Sequence, residues 1–298
     1  MGTVGHVDRA EVLSFEEFLR IIRILGGEGI SRIRLTGGEP LVRDGVIDFV
    51  RQIKEMGFIE DLSMTTNGSL LADKAVALKQ AGLDRLNISL DTVDPERFEK
   101  LTCGGNVADV LAGLRAALDA ELSPVKINVV LTDEVQETDL KFFQELVRDY
   151  PVAVRFIEYM PNSKCQVKQG MSIEGVTDFL SQRNPASLQS PVTRPQGNGP
   201  ARYLQPEGQK GIYGFITPIS DSYCDTCNRI RLTADGKLKP CLLSEQEFDL
   251  KGPLRSGASD EELLAIFTAA VDVKPKERMF ANDASGFFRD RNMSQIGG

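Results

Sequence analysis

Residues 31–40 read SRIRLTGGEP, and this stretch decides the fold class. Apolar Ile33 and Leu35 alternate with Arg32 and Arg34, the period-two pattern of a strand, and the run stops at Gly37 and Gly38. Upstream, SFEEFLRIIRIL at 14–25 sets Ser14 and Glu17 at capping-box spacing ahead of apolar residues at helical period. The alternation then repeats, predicting helices over 46–56, 73–81, 107–120 and 139–150 and strands over 62–66, 86–90, 126–131 and 153–158. Strands separated by helices pair in parallel through right-handed crossovers and bind ligands at their carboxyl ends. The expected fold is therefore α/β, a partial, incomplete TIM-type barrel.

The periodicity breaks after Pro161, and residues 184–203, NPASLQSPVTRPQGNGPARY, read as a loop or linker. Beyond it KGIYGFITPIS and NRIRLTADGKLKPCLL read as strands, the second pair turning at Asp235-Gly236, with a helix over 261–270. Two regions are expected: a partial barrel over 1–160 and, over 161–298, a small β-rich C-terminal module.

Across 298 residues, 35 Lys and Arg face 43 Asp and Glu for a net charge of -8. That balance argues against a nucleic-acid surface, and no apolar run approaches the roughly 18 residues that span a bilayer. Neither nucleic acid nor a membrane is an expected partner. The five cysteines are clustered rather than spread as a disulfide framework, which points to a reducing, intracellular compartment and a metal site. No targeting address is readable near Met1.

Three of those cysteines lie in YCDTCNRIRLTADGKLKPCLL, residues 223–243: Cys224, Cys227 and Cys241. A Cys-x-x-Cys on a turn and a third thiol across a hairpin can converge on one centre. Structural zinc prefers four protein ligands, and Cys103 or Cys165 would have to supply the fourth, since the only histidine is the remote His6. A cubane iron–sulfur cluster on three cysteines leaves one iron open, and this reading suits three thiols better.

Other features gather at strand ends. Gly37 and Gly38 allow close backbone approach, and Glu39 places a carboxylate where an ammonium group could dock. TTNG at 65–68 and NISLD at 87–91 put hydroxyl and amide groups at the ends of the next two strands. Arg34, Lys126 and Arg155 sit in or beside strands, and Arg229 and Arg231 alternate after Cys227. Positive charge on buried strands needs a partner, for which a polyphosphate is the natural candidate.

Together RLTGGEP, TTNG, NISLDT, VKINVV, RFIEYMP, CDTCNRIRLTADGKLKPCL and the terminal Gly297-Gly298 resemble the radical S-adenosylmethionine enzymes of molybdenum cofactor biosynthesis, the GTP 3′,8-cyclases. The resemblance runs from about Val12 to Gly298. It implies a barrel mouth that binds S-adenosylmethionine through Gly38, Glu39, Ser89 and Met160. It also implies a C-terminal 4Fe-4S cluster on Cys224, Cys227 and Cys241, whose open iron takes the purine of GTP. Arg34, Thr65 and Lys126 would reach GTP, with Arg229, Ile230 and Arg231 holding it beside the cluster. Arg155, Arg229, Arg231 and the tail Gly297-Gly298 would serve catalysis, in which a 5′-deoxyadenosyl radical removes the ribose 3′ hydrogen so that C3′ attacks C8. Cyclic pyranopterin monophosphate synthase would be the functional partner, beside an electron donor. The compartment would be cytoplasm or mitochondrial matrix, and a homodimer stays open.

The family also carries an N-terminal Cys-x-x-x-Cys-x-x-Cys for a second 4Fe-4S cluster, whereas the first cysteine here is Cys103. Cys103 and Cys165 match no family ligand and read as free thiols. Without that segment the strand at 33–35 is expected to present an unpaired edge. A second reading is a non-catalytic, GTP-binding or regulatory paralogue or isoform that keeps only the C-terminal cluster. A zinc-stabilised α/β protein and a radical enzyme with another substrate are the remaining readings. The 298-residue chain is expected to hold the C-terminal cluster and GTP yet release no 5′-deoxyadenosine. Anaerobic reconstitution with product analysis checks this, and robust release would overturn it.

Overall fold

The computed structural model describes residues 9–160, 168–181, 195–197, 199–221 and 223–275. Helix α1 (Phe15–Gly27) starts where the sequence places it: Ser14 Oγ accepts from Glu17 N at 3.2 Å, and Glu17 Oε2 accepts from Ser14 N at 2.7 Å. Then β1 (Arg32–Leu35), α2 (Val46–Glu55), β2 (Asp61–Thr66), α3 (Ala75–Gln80) and β3 (Arg85–Ser89) alternate. After β3 come α4 (Pro95–Thr102) and α5 (Val107–Asp119), followed by β4 (Val125–Val130), α6 (Glu137–Asp149) and β5 (Val152–Ile157). These strands pair in parallel in chain order.

Helix α4 was not foreseen, although its start signal is plain: Asp94 caps the backbone of Arg97, and Pro95 occupies the first turn. Helix α7 (Ile173–Ser181) follows β5. The segment read as linker ends in a short strand, β6 (Arg202–Leu204), antiparallel to β7 (Ile212–Ile216). Strand β7 pairs in parallel with β5, so KGIYGFITPIS extends the large sheet rather than the cysteine hairpin. Among the described residues the sheet order is β1-β2-β3-β4-β5-β7-β6, open with β1 and β6 as its edges. Among the described residues β1 has β2 as its sole strand partner, as expected, with Arg32 and Arg34 exposed along it. Charged side chains blunt such an edge against unwanted pairing.

The strands are two-faced. Leu62, Met64, Leu86, Ile88, Ile127, Val129, Val154 and Phe156 belong to the main core under the helices. Intervening residues form the polar opposite face. A three-stranded sheet of β8 (Arg231–Leu232), β9 (Lys237–Lys239) and β10 (Phe248–Asp249) forms the cysteine hairpin, turning at Gly236, whose φ of 80° suits glycine. It leads into α8 (Lys251–Arg255) and α9 (Asp260–Asp272), the latter capped by Ser259 and Glu262. A second core joins Leu238, Leu250, Leu254, Leu263, Phe267 and Ala270 to Leu13 and Ile21. Helix α1 thus faces both cores, Leu19 toward the first and Ile21 toward the second. The tail Gly297-Gly298, Cys165 and His6 lie outside the described residues.

Gly113 in α5 packs against the TTNG loop so closely that a Cβ there would lie 2.4 Å from the Gly68 carbonyl oxygen and 2.9 Å from Leu71 Cβ. Helix propensity alone would favour alanine by about 1 kcal/mol, whereas overpacking against rigid backbone costs roughly 1–3 kcal/mol. Gly113→Ala is expected to lower the urea midpoint despite the better helix former. A midpoint at or above wild type would contradict this packing.

Candidate active site

On the polar face, strand alternation lines up Arg34 on β1, Ser63 and Thr65 on β2, Arg85, Asn87 and Ser89 on β3, Lys126 and Asn128 on β4, and Arg155 on β5. The register sets Arg34 opposite Ser63, Thr65 opposite Asn87, Asn87 opposite Lys126, and Asn128 opposite Arg155. Five of the residues singled out from sequence, Arg34, Thr65, Ser89, Lys126 and Arg155, therefore share one face of the sheet.

That surface carries an excess of positive charge. Arg85 and Asp61, both buried, form a bidentate pair at 2.8 and 2.7 Å, yet Arg85 Nη1 has no partner. The buried Arg155 donates through Nη2 to Asn87 Oδ1 at 2.8 Å and to Asn128 Oδ1, while its Nε stays unpartnered. Lys126, only 2% exposed, donates to the Gln196 carbonyl. Desolvation first, then the charges of Arg85, Arg155 and Arg34, pull its pKa down to about 7. Arg34 is open to solvent yet ringed by protein; desolvation, then Arg155, Arg85, Arg229 and Arg231, lower it to about 9. Arg229 and Arg231 of the cysteine hairpin thus lie near enough to act on the charge of Arg34.

Sequence reasoning passed over Arg85, Asn128 and the holding role of Asn87, which also donates to Thr65 Oγ1 at 3.2 Å. Their signal was the strand period itself, since each lies two residues from a residue already singled out.

At the carboxyl ends of β1, β3 and β5 sit Gly38, Ser89 and Met160. Gly38 has open space where a Cβ would stand, and Ser89 is exposed. Glu39 is already engaged: Oε1 accepts from Leu41 N at 2.9 Å and Thr66 Oγ1 at 2.8 Å, and Oε2 from Asn67 N at 2.6 Å. Its carboxylate ties the GGEP loop to the TTNG loop, a bracing role that sequence did not reveal.

In the hairpin, Cys227 N donates to Cys224 O at 3.2 Å in the turn, and β9 leads through Pro240 to Cys241. Arg229 precedes β8 instead of lying in a strand as expected, and its guanidinium sits 5.4 Å from the Tyr223 ring centroid. Ile230 packs against the second core between the two arginines. Burial alone would raise the Cys227 thiol, but Arg229 and Lys274 outweigh it and hold it below its ordinary pKa. Desolvation, then Arg229, lower Arg231, against the opposing pull of Cys241 and Cys227. No group of three or more His, Cys, Asp or Glu among the described residues is gathered to hold a metal ion. Cys103 is exposed at the C-cap of α4.

Two family models match: Radical SAM superfamily over residues 4–147 and Molybdenum Cofactor Synthesis C over 152–280. The GTP 3′,8-cyclase of Heliobacterium modesticaldum is 49% identical, covering 98% of this chain and 89% of that protein. The chain belongs to the GTP 3′,8-cyclase family. The Moorella thermoacetica GTP 3′,8-cyclase is 45% identical over 99% of this chain and 89% of that one. Among solved structures, Streptococcus suis SuiB aligns with a TM-score of 0.55 at 16% identity, over 83% of this chain and 60% of that chain, a likeness of fold. Radical SAM membership brings a 4Fe-4S cluster and S-adenosylmethionine with it. The hairpin carries three thiols, Cys224, Cys227 and Cys241, on one short turn and strand pair, the donor type that an iron–sulfur cluster takes, with Arg229 holding Cys227 toward its thiolate.

A lysine whose native pKa lies below its unfolded value makes the unfolded state the better proton binder from about pH 7 to 10.5. Its burial cost is full below pH 7 and fades as pH rises through that window. Lys126→Met is therefore expected to stabilise the ligand-free protein at pH 7 by on the order of 2 kcal/mol and to flatten the rise in stability between pH 7 and 9. Denaturant titrations at several pH values check this; a destabilised variant with an unchanged pH slope would refute it.

Proposed function

We propose that this chain is by family a GTP 3′,8-cyclase of molybdenum cofactor biosynthesis, and that it binds GTP between the polar sheet face and the cysteine hairpin. The observation that carries the reading is the convergence of Arg34, Arg85, Lys126, Arg155, Arg229 and Arg231 on one space in a protein of net charge -8. A nucleotide triphosphate is the anion whose charge matches that set.

In this reading Arg34, Lys126 and Arg155 neutralise the triphosphate, Thr65 orients it, and Asn87 and Asn128 hold the Arg155 guanidinium in place. Gln196, whose carbonyl accepts from Lys126, gives way to a phosphate oxygen. Arg229, Ile230 and Arg231 place the base beside Cys224, Cys227 and Cys241, the ligands of the C-terminal cluster. Gly38, Ser89 and Met160 contact S-adenosylmethionine, with Glu39 near its amine and bracing the loop beneath. In the family's reaction hydrogen abstraction depends on a second cluster whose Cys-x-x-x-Cys-x-x-Cys ligands are not among these residues; what the residues present would supply is alignment and charge for GTP and three thiols for a cluster with an open iron. Cyclic pyranopterin monophosphate synthase would take the product onward, and an electron donor would serve the reduction.

Anaerobically reconstituted protein is expected to bind GTP far more tightly than GMP, with affinity falling as salt rises. Lys126→Met and Arg155→Met should each weaken GTP by at least about tenfold, the scale of a lost charge-assisted hydrogen bond. Calorimetric titration checks both. Equal affinity for GTP and GMP would refute a triphosphate site on this face.

A further inference from the structure

Lys274 lies two residues beyond α9, where its backbone N–H still bonds Val271 O at 3.0 Å. Its ammonium crosses to the cysteine hairpin. Nζ donates to the Arg229 carbonyl at 2.7 Å and the Pro240 carbonyl at 3.0 Å, and lies 3.6 Å from Cys227 Sγ. Three donors thus meet three acceptors, which is the full capacity of an ammonium group. Arg229 follows Cys227 by two residues and Pro240 directly precedes Cys241, so one side chain spans both limbs of the arch. Helix α9 is itself anchored in the second core through Leu263, Phe267 and Ala270, so the lysine is delivered from a fixed platform. Among the described residues no carboxylate pairs with Lys274; its nearest candidate for charge compensation is the thiol of Cys227.

We propose that Lys274 is a positioning residue for the C-terminal cluster: it locks the two limbs of the arch at a fixed spacing and sets a positive charge against the Cys227 sulfur. This rests on the iron–sulfur reading of the arch given above. A cation beside a sulfur ligand stabilises the more negative, reduced state of a cluster, and hydrogen bonds to sulfur act in the same direction. The two carbonyl bonds act on a different property, the rate at which the limbs part and iron escapes.

The test compares wild type, Lys274→Met and Lys274→Arg after anaerobic reconstitution with iron and sulfide. Iron and acid-labile sulfide are counted, folding is checked by circular dichroism, and the midpoint potential and the rate of iron loss to a chelator are measured. The expected result is that Lys274→Met takes up the cluster with a more negative midpoint and loses iron about tenfold faster, the scale seen when a group hydrogen-bonded to a metal ligand is removed. Lys274→Arg should recover most of the potential shift, because it restores the charge, and less of the chelator resistance. Wild-type potential and iron-loss rate in Lys274→Met would overturn the proposal. Should that variant fail to fold, Lys274→Gln, which keeps a donor and drops the charge, is judged by the same two readouts. Wild-type protein that binds zinc or no metal at all would instead sink the cluster reading, a result visible before any variant is compared.

Discussion

On the polar face of the sheet, Arg34, Arg85, Lys126 and Arg155 act on one another's charge, while Asp61 pairs with Arg85 and partly offsets that of Lys126. Burial and the neighbouring like charges both oppose folding: desolvation first, then Arg85, Arg155 and Arg34, depress the proton affinity of Lys126. The opposite face offsets that cost, because the same strands present Leu62, Met64, Leu86, Ile88, Ile127, Val154 and Phe156 to the helices. Strand alternation is what makes this coexistence workable: each residue step reverses the face, so a strand such as VKINVV serves the core and the site at once. The cations of β1, β3, β4 and β5 are held by the sheet, and their spacing is as fixed as the hydrogen-bonding register.

The order of strands and helices in the first half of the chain was open to reading from period and caps, and Ser14 with Glu17 marked α1 to the residue. The place of β7 was not. Nothing in the composition of KGIYGFITPIS says whether it pairs with the hairpin that follows or with β5 much earlier in the chain; only tertiary packing decides that. Among site residues, the cations stood out because charge on an apolar strand is conspicuous. Asn87 and Asn128 did not, since a strand amide becomes meaningful only once Arg155 is seen to donate to both. Glu39 carries a related lesson: its carboxylate was legible as a ligand-facing group, but its bonds to Thr66 and Asn67 depend on how two loops from neighbouring strands meet.

The hairpin module is attached by a second, smaller core whose reach extends into α1. That helix packs against α2 on one side and α9 on the other, so one element ties the helices over the sheet to those that carry the hairpin. The influence of Arg229 and Arg231 on Arg34 is the electrostatic trace of that arrangement.

The border between the two matched family segments falls at residues 147–152, immediately before β5, while hydrogen bonds join β5 to β7 all along their length. The evolutionary unit and the mechanical unit therefore do not coincide. Shuffling the C-terminal half onto another member of the superfamily would strip β4 of a neighbour unless the donor's own β5 matched its register, which ties the inheritance of nucleotide specificity to that of the scaffold.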